Sequence, residues 1–155
     1  MKTNNGLFIV IAILLFSLSS TFYGQTTHVI TLHVDTNELN AGNESAAFSF
    51  SVGEGTTVEN IDNPETFTIF VNEADTVIWE GTSLSGATVN IESITYAEGT
   101  EIFGKRKHYG KVKNGKKKVE AKVKKDKKNA EYKYVIEFMI GRFSFNIDPK
   151  VKVIK

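Results

Sequence analysis

Residues 105–128 carry the densest charge in the chain and are the first candidates for a binding function. The segment reads KRKHYGKVKNGKKKVEAKVKKDKK, and with only Glu120 and Asp126 as acids its net charge is roughly +11 at reference pKa values. Side chains of this type attract phosphate, sulfate and carboxylate groups. The predicted polyanion-binding residues are Lys105, Arg106, Lys107, Lys111, Lys113, Lys116, Lys117, Lys118, Lys122, Lys124, Lys125, Lys127 and Lys128.

The chemistry of this segment predicts a partner that is an anionic polymer or an acidic surface. Extracellular nucleic acid, lipopolysaccharide phosphate and an acidic glycan all fit, and His108 and Tyr109 add stacking surfaces. Lys dominates over Arg, which favours loose charge attraction over bidentate recognition of phosphate. A second interpretation stays open, because exposed lysines also protect sheet edges from pairing with other chains.

Residues 25–104 have the opposite charge, with thirteen Asp and Glu side chains and no Lys or Arg. An alternative function follows from this segregation. The two halves would pair within one molecule, or head to tail between molecules, in a structural or envelope-associated protein. The acids are Asp35, Glu38, Glu44, Glu54, Glu59, Asp62, Glu65, Glu73, Asp75, Glu80, Glu92, Glu98 and Glu101.

The basic segment also shows the pattern of a β-hairpin. Val119, Ala121 and Val123 alternate with charged residues, which predicts a strand with one apolar and one basic face. Asn114-Gly115 supplies the residue pair that a type I′ turn requires. Residues 126–129 can turn the chain again, so we predict a lysine-rich hairpin within a sheet.

Similar period-2 alternation recurs along the chain from residue 25 onward, while no helical period of useful length is present. A change of phase near Ser93 predicts a β-bulge. The pattern predicts one all-β domain over residues 25–155, an antiparallel Greek-key sandwich or a barrel. The predicted strands, besides the hairpin, are residues 27–35, 46–52, 67–71, 76–80, 87–96, 131–140, 142–147 and 151–154.

Residues 1–24 resemble a secretory signal peptide, with Lys2 before an apolar stretch over residues 7–18. Cleavage is expected near Gly24 and Gln25, with a site after Ser20 as one alternative and a retained N-terminal anchor as another. The remaining chain is then secreted or periplasmic and has no transmembrane segment. It contains no cysteine, so packing rather than disulfide bonds must hold it together.

Other residue types with catalytic or metal-binding potential do not form a site in the sequence. His28 and His33 are five residues apart, which places them on opposite faces of a strand. The acidic stretches 35–38 and 59–65 lack the spacing of a calcium loop. No nucleophile elbow, zinc motif or phosphate-binding loop is present, and Trp79 fits a core position. We therefore predict a non-enzymatic protein with no catalytic residues, metal or cofactor.

One segment resembles a known family. Residues 67–80, FTIFVNEADTVIWE, are similar to the strand, turn and "Asp-Thr-Val-x-Trp" segment of cupredoxins, and residues 132–136 resemble the strand before their copper loop. The resemblance implies a cupredoxin-like sandwich, with an immunoglobulin-like one as the alternative. A blue-copper site needs a Cys thiolate, which this chain lacks. A cupredoxin-derived domain with a non-blue metal site is a further alternative.

Overall fold

The computed structural model describes residues 24–40 and 44–155, so the predicted signal peptide lies outside the described residues except for Gly24. Nearly all of the regular structure is β. The two helices in this part of the chain have five and four residues. The elements are β1 (Thr27–Val34), α1 (Thr36–Asn40), α2 (Glu44–Ala47), β2 (Phe48–Val52), β3 (Thr57–Glu59), β4 (Thr68–Val71), β5 (Thr76–Ser83), β6 (Val89–Gly99), β7 (Lys107–Tyr109), β8 (Lys111–Lys113), β9 (Lys116–Lys122), β10 (Glu131–Ile140), β11 (Phe143–Ile147) and β12 (Lys150–Val153).

The strands form two mixed sheets around a shared core. The first sheet has the order β2-β1-β5-β9-β8, and the second has the order β3-β4-β12-β10-β6-β7, with β11 pairing β10. This confirms an all-β, sandwich-like architecture. The prediction of a wholly antiparallel arrangement is wrong for two pairs, since β1–β5 and β4–β12 run parallel. The period-2 pattern shows which face of a strand is buried but not the direction of the strand, so it contains no signal for these parallel pairs.

The core consists of the apolar side chains that alternate with exposed or half-buried residues along the strands. In β10, Tyr132, Tyr134, Ile136 and Phe138 are buried, as the pattern predicts. Trp79 is also buried, and its Nε1 donates a hydrogen bond to the hydroxyl of Tyr134 at 3.0 Å. The indole thus has its one polar atom satisfied inside the core, and the prediction that Trp79 is a core residue is confirmed.

The predicted bulge is present in β6. Glu137 of β10 pairs with Ser93 and the next residue, Phe138, pairs with Ile91, so Glu92 is the extra residue. The two helices and the three-residue strand β3 were not predicted. Elements this short do not contain enough residues to show a period.

A buried carboxylate organises one end of the sandwich. Asp75 is 1% exposed and accepts hydrogen bonds from the backbone N–H groups of Thr26 at 2.9 Å and Asn72 at 2.7 Å. A third contact joins its Oδ2 to His28 Nε2 at 3.0 Å. These contacts close the turn between β4 and β5, in which Ala74 has a φ of 68°. They also tie that turn to the start of β1.

We predict that Asp75→Ala lowers the free energy of unfolding by about 2–3 kcal/mol, because it removes the acceptor that the buried His28 ring shares with the backbone N–H groups of Thr26 and Asn72. Chemical denaturation of the two proteins measures the difference. Asp62→Ala removes an exposed carboxylate and should change the same quantity by less than about 0.5 kcal/mol. A loss below about 1 kcal/mol for Asp75→Ala would contradict the role given to this carboxylate.

Candidate anion-binding surface

The predicted lysine-rich hairpin is confirmed as β8 and β9. Lys113 pairs with Lys116 across the turn, and Asn114 and Gly115 have φ values of 52° and 78°, both positive as a type I′ turn requires. Val119, Ala121 and Val123 are buried, whereas the charged residues between them are exposed. The hairpin therefore contributes its apolar face to the core and presents its charged face to solvent.

The basic segment crosses from one sheet to the other at Gly110. β7 pairs with β6 in the second sheet, and β8 pairs with β9 in the first. A Cβ atom at Gly110 would lie 2.0 Å from the carbonyl oxygen of Ile91, so only glycine allows this close approach. The cations of β7 and β8 consequently lie at one lateral edge of the sandwich, on both sheets, whereas those of residues 124–128 lie at the end where β4 and β5 are joined.

Four of the predicted residues form ion pairs. Lys117 Nζ lies 2.6 Å from Glu92 Oε2, and Lys113 Nζ lies 2.7 Å from Glu120 Oε2. Lys118 pairs with Glu80, and Lys107 pairs with Glu137 at 3.6 Å. We call these four lysines the paired set. Two of the acids, Glu80 and Glu92, come from the acidic half of the sequence, so pairing between the halves occurs at these points.

The other nine predicted residues have no carboxylate oxygen within 4.0 Å in the described part of the chain. The guanidinium of Arg106 lies over the Tyr96 ring at 4.4 Å from its centroid, and Lys122 Nζ donates to Gln25 Oε1 at 3.2 Å. These contacts leave the positive charges uncompensated. The nine are Lys105, Arg106, Lys111, Lys116, Lys122, Lys124, Lys125, Lys127 and Lys128.

The loop between β9 and β10 holds four of these nine, Lys124, Lys125, Lys127 and Lys128, which we call the loop cluster. One acid, Asp126, lies within this loop, and a second, Glu73, reaches it from the turn between β4 and β5. The Oε1 atom of Glu73 accepts the backbone N–H groups of Lys127 at 2.5 Å and Lys128 at 2.9 Å. The hydrogen bond from Lys127 is the main cause of a lowered pKa at Glu73. This carboxylate therefore fixes the loop backbone, and no ammonium group of the cluster pairs with it.

The two predicted stacking residues have different environments. Tyr109 is 69% exposed, and Lys107 Nζ lies 5.2 Å from the centroid of its ring. His108 is half-buried and meets the ring of Phe103 edge-on at 5.9 Å between centroids. Its Nε2 is buried without a hydrogen-bond partner among the described residues. Only Tyr109 therefore offers an open face to a ligand.

Burial lowers the pKa of His108, with Glu101 opposing the shift and the ammonium groups of Lys105 and Lys124 adding to it. The unfolded chain then binds a proton at this residue more readily than the folded chain. The contribution of neutral His108 to the free energy of unfolding is therefore complete above the pKa of the unfolded chain, about 6.5. It is lost as the pH falls through the lower pKa that His108 has in the folded protein.

We therefore predict that the free energy of unfolding decreases between about pH 7 and pH 5, and that His108→Gln makes this decrease smaller. Urea unfolding of both proteins at several pH values in this range measures the difference. Identical pH dependence in the two proteins would show that His108 does not contribute.

His28 lies in a buried polar network that the sequence did not indicate. Besides its contact with Asp75, its Nδ1 lies 3.0 Å from Thr56 Oγ1, and the residue is only 4% exposed. His33 projects from the opposite face of β1 and contacts Ser51 Oγ at 2.7 Å, so the predicted separation of the two histidines is confirmed. Within residues 24–40 and 44–155, no group of three His, Cys, Asp or Glu side chains is arranged to hold a metal ion.

A groove of about 480 Å³ runs along the outer face of the first sheet. Its floor is apolar, and its walls combine lysines with two of the carboxylates that pair with them. The groove is thus of mixed charge and less suited to a polyanion than the unpaired lysines. Its lining residues are Val29, Ile78, Glu80, Tyr109, Lys111, Lys113, Lys118 and Glu120.

The fold and surface define an all-β, sandwich-like protein with a cationic edge. No protein-family model and no curated protein matches the chain. A solved structure of an inclusion body protein, PixA, from Burkholderia cenocepacia J2315 is similar, with a TM-score of 0.68 and 14% sequence identity over 86% of this chain and 98% of that chain. At this identity the similarity shows the fold alone. None of the described helices is long and apolar enough to cross a membrane.

Proposed function

We propose that the protein is an exported, non-enzymatic binding module of one domain whose cationic edge contacts anionic polymers. The main support is the set of nine unpaired cations. Only four of the thirteen basic residues of this segment form ion pairs with carboxylates of the same chain. The positive charge of these nine residues is therefore available to attract an external anion. Phosphate and sulfate polymers fit best, because they offer many charges at close spacing.

The kind of cation supports non-specific contact. Lysine presents a compact charge on a flexible stem, whereas specific phosphate recognition more often uses the bidentate geometry of arginine. Arg106 is the one arginine of the segment, and it lies over Tyr96. We therefore expect charge density to determine affinity, with little dependence on the sequence of a nucleic acid.

The first prediction of this proposal is binding to duplex DNA at low salt. If four to six phosphates are contacted, the logarithm of the affinity falls with the logarithm of salt concentration at a slope of roughly −4 to −5. Fluorescence anisotropy with a labelled duplex at several salt concentrations measures the slope. Two unrelated duplex sequences of equal length should bind alike, and a slope near zero or no binding at low salt would overturn the proposal.

Head-to-tail self-association is a second candidate, favoured by the position of the acidic loops. Exposed Glu54, Asp62 and Glu65 lie in the connections between β2, β3 and β4. β2 and β3 end the two sheet orders on the side opposite to β8 and β7. Complementary charges at opposite lateral edges allow heterologous contacts, which need not close into a ring.

For this second candidate we predict that mass increases with protein concentration at low ionic strength. Salt at about 0.5 M shortens the Debye length to roughly 4 Å and should return monomers. Sedimentation velocity over a range of concentrations at two salt levels tests this. A monomer at every concentration in low salt would exclude head-to-tail assembly.

We also infer a cupredoxin-like architecture, with an immunoglobulin-like one as the alternative. The segment that carries the resemblance, residues 67–80, contains β4, the turn at Asp75 and most of β5. A Greek-key connection and export through the signal-like residues 1–24 belong to the same proposal. The non-blue metal site has less support than polyanion binding, because no metal-binding group of side chains occurs in the described ranges.

A further inference from the structure

We infer that the loop cluster, rather than the paired set on the sheets, makes the principal contacts with the anionic polymer. The inference rests on the proposed function and ranks the loop cluster above the paired set among the thirteen predicted residues. The sequence gives no reason to separate these lysines, because both groups belong to one continuous basic segment. The separation comes from the positions of the carboxylates.

The paired set is already neutralised locally. Each of its four ammonium groups has a carboxylate oxygen within 4.0 Å, so a polymer anion must compete with that carboxylate for the charge. The competing acids also repel the polymer. Lysines that form close ion pairs therefore gain less from an added anion than lysines without such pairs.

The loop cluster differs in its ion pairing, although Asp126 lies within the loop and Glu73 lies near Lys125. Its ammonium groups have no ion pair with any described carboxylate, and Lys124, Lys125 and Lys128 are exposed. Glu73 directs its Oε1 to two backbone N–H groups of the loop, as described above. Across the neighbouring loop, Glu101 accepts the backbone N–H groups of Phe103 at 2.6 Å and Gly104 at 2.7 Å.

The backbone of the loop is also fixed before any ligand binds. Val123 N–H donates to Asp75 O at 2.8 Å, and Ala74 N–H donates to Val123 O at 3.1 Å. At the other end of the loop, Asn129 N–H donates to Val153 O at 2.8 Å. Asp126 and Asn129, with φ values of 60° and 62°, provide the turns. The fixed backbone thus presents four lysines and one aspartate within five consecutive residues, a net charge of roughly +3, and a polyanion can bind it at little cost in loop entropy.

Two variants with equal loss of charge test the inference. The first replaces Lys124, Lys125, Lys127 and Lys128 with Gln, and the second replaces Lys107, Lys113, Lys117 and Lys118 with Gln. Both lose four positive charges, so overall charge cannot distinguish them. We expect the first to elute from a heparin column at clearly lower salt and to reduce the slope of the DNA salt dependence by about 3, and the second to change that slope by less than about 1.

Circular dichroism and thermal unfolding establish that each variant is folded. A third variant with Arg at the four loop positions should retain binding, which separates loss of charge from loss of loop structure. An equal loss of heparin and DNA binding in the two Gln variants, or a larger loss of binding in the paired-set variant, would overturn the inference and leave the proposed function intact. Failure of the unmodified protein to bind heparin or DNA at low salt would overturn both.

Discussion

The buried carboxylate of Asp75 is the interaction on which one end of the molecule depends. It fixes the turn between β4 and β5 and the start of β1 through two backbone N–H groups and the His28 ring. The backbone of the same turn hydrogen bonds to Val123, and the side chain of Glu73 in that turn holds Lys127 and Lys128. The buried carboxylate of Asp75 thus fixes the turn, and the turn positions the exposed lysines of the loop, which has no regular secondary structure.

The alternation of apolar and charged side chains along the strands determines where the charges of this protein lie. β9 places its aliphatic residues in the core and its charged residues at half-buried or exposed positions. The crossing at Gly110 brings both sheets to one cationic edge. Acids from the first half of the chain reach this edge at Glu80 and Glu92, whereas Glu54, Asp62 and Glu65 lie toward the opposite edge. Folding therefore preserves much of the charge segregation of the sequence, on which both the proposed binding of a polyanion and the proposed self-association depend.

The features that the sequence predicts are those determined by neighbouring residues. The Asn114-Gly115 turn, the faces of β9 and β10 and the bulge near Ser93 all follow from local patterns, and the structure confirms them. The parallel pairing of β1 with β5 and the use of Glu73 by the loop join residues far apart in the chain. Such contacts depend on the assembled fold. For this reason the sequence identified the basic segment as a whole but could not separate its paired lysines from its free ones.

The central claim is that the loop cluster makes the principal contacts with an anionic polymer. It is tested most directly by lysine acetylation in the presence and absence of heparin, with each lysine measured by mass spectrometry. Bound polymer shields the ammonium groups it contacts, so we predict reduced acetylation at Lys124, Lys125 and Lys128. Lys113 and Lys117 of the paired set, which pair with Glu120 and Glu92, should be acetylated equally in both conditions. Protection that is equal across all these lysines, or absent from the loop, would contradict the account.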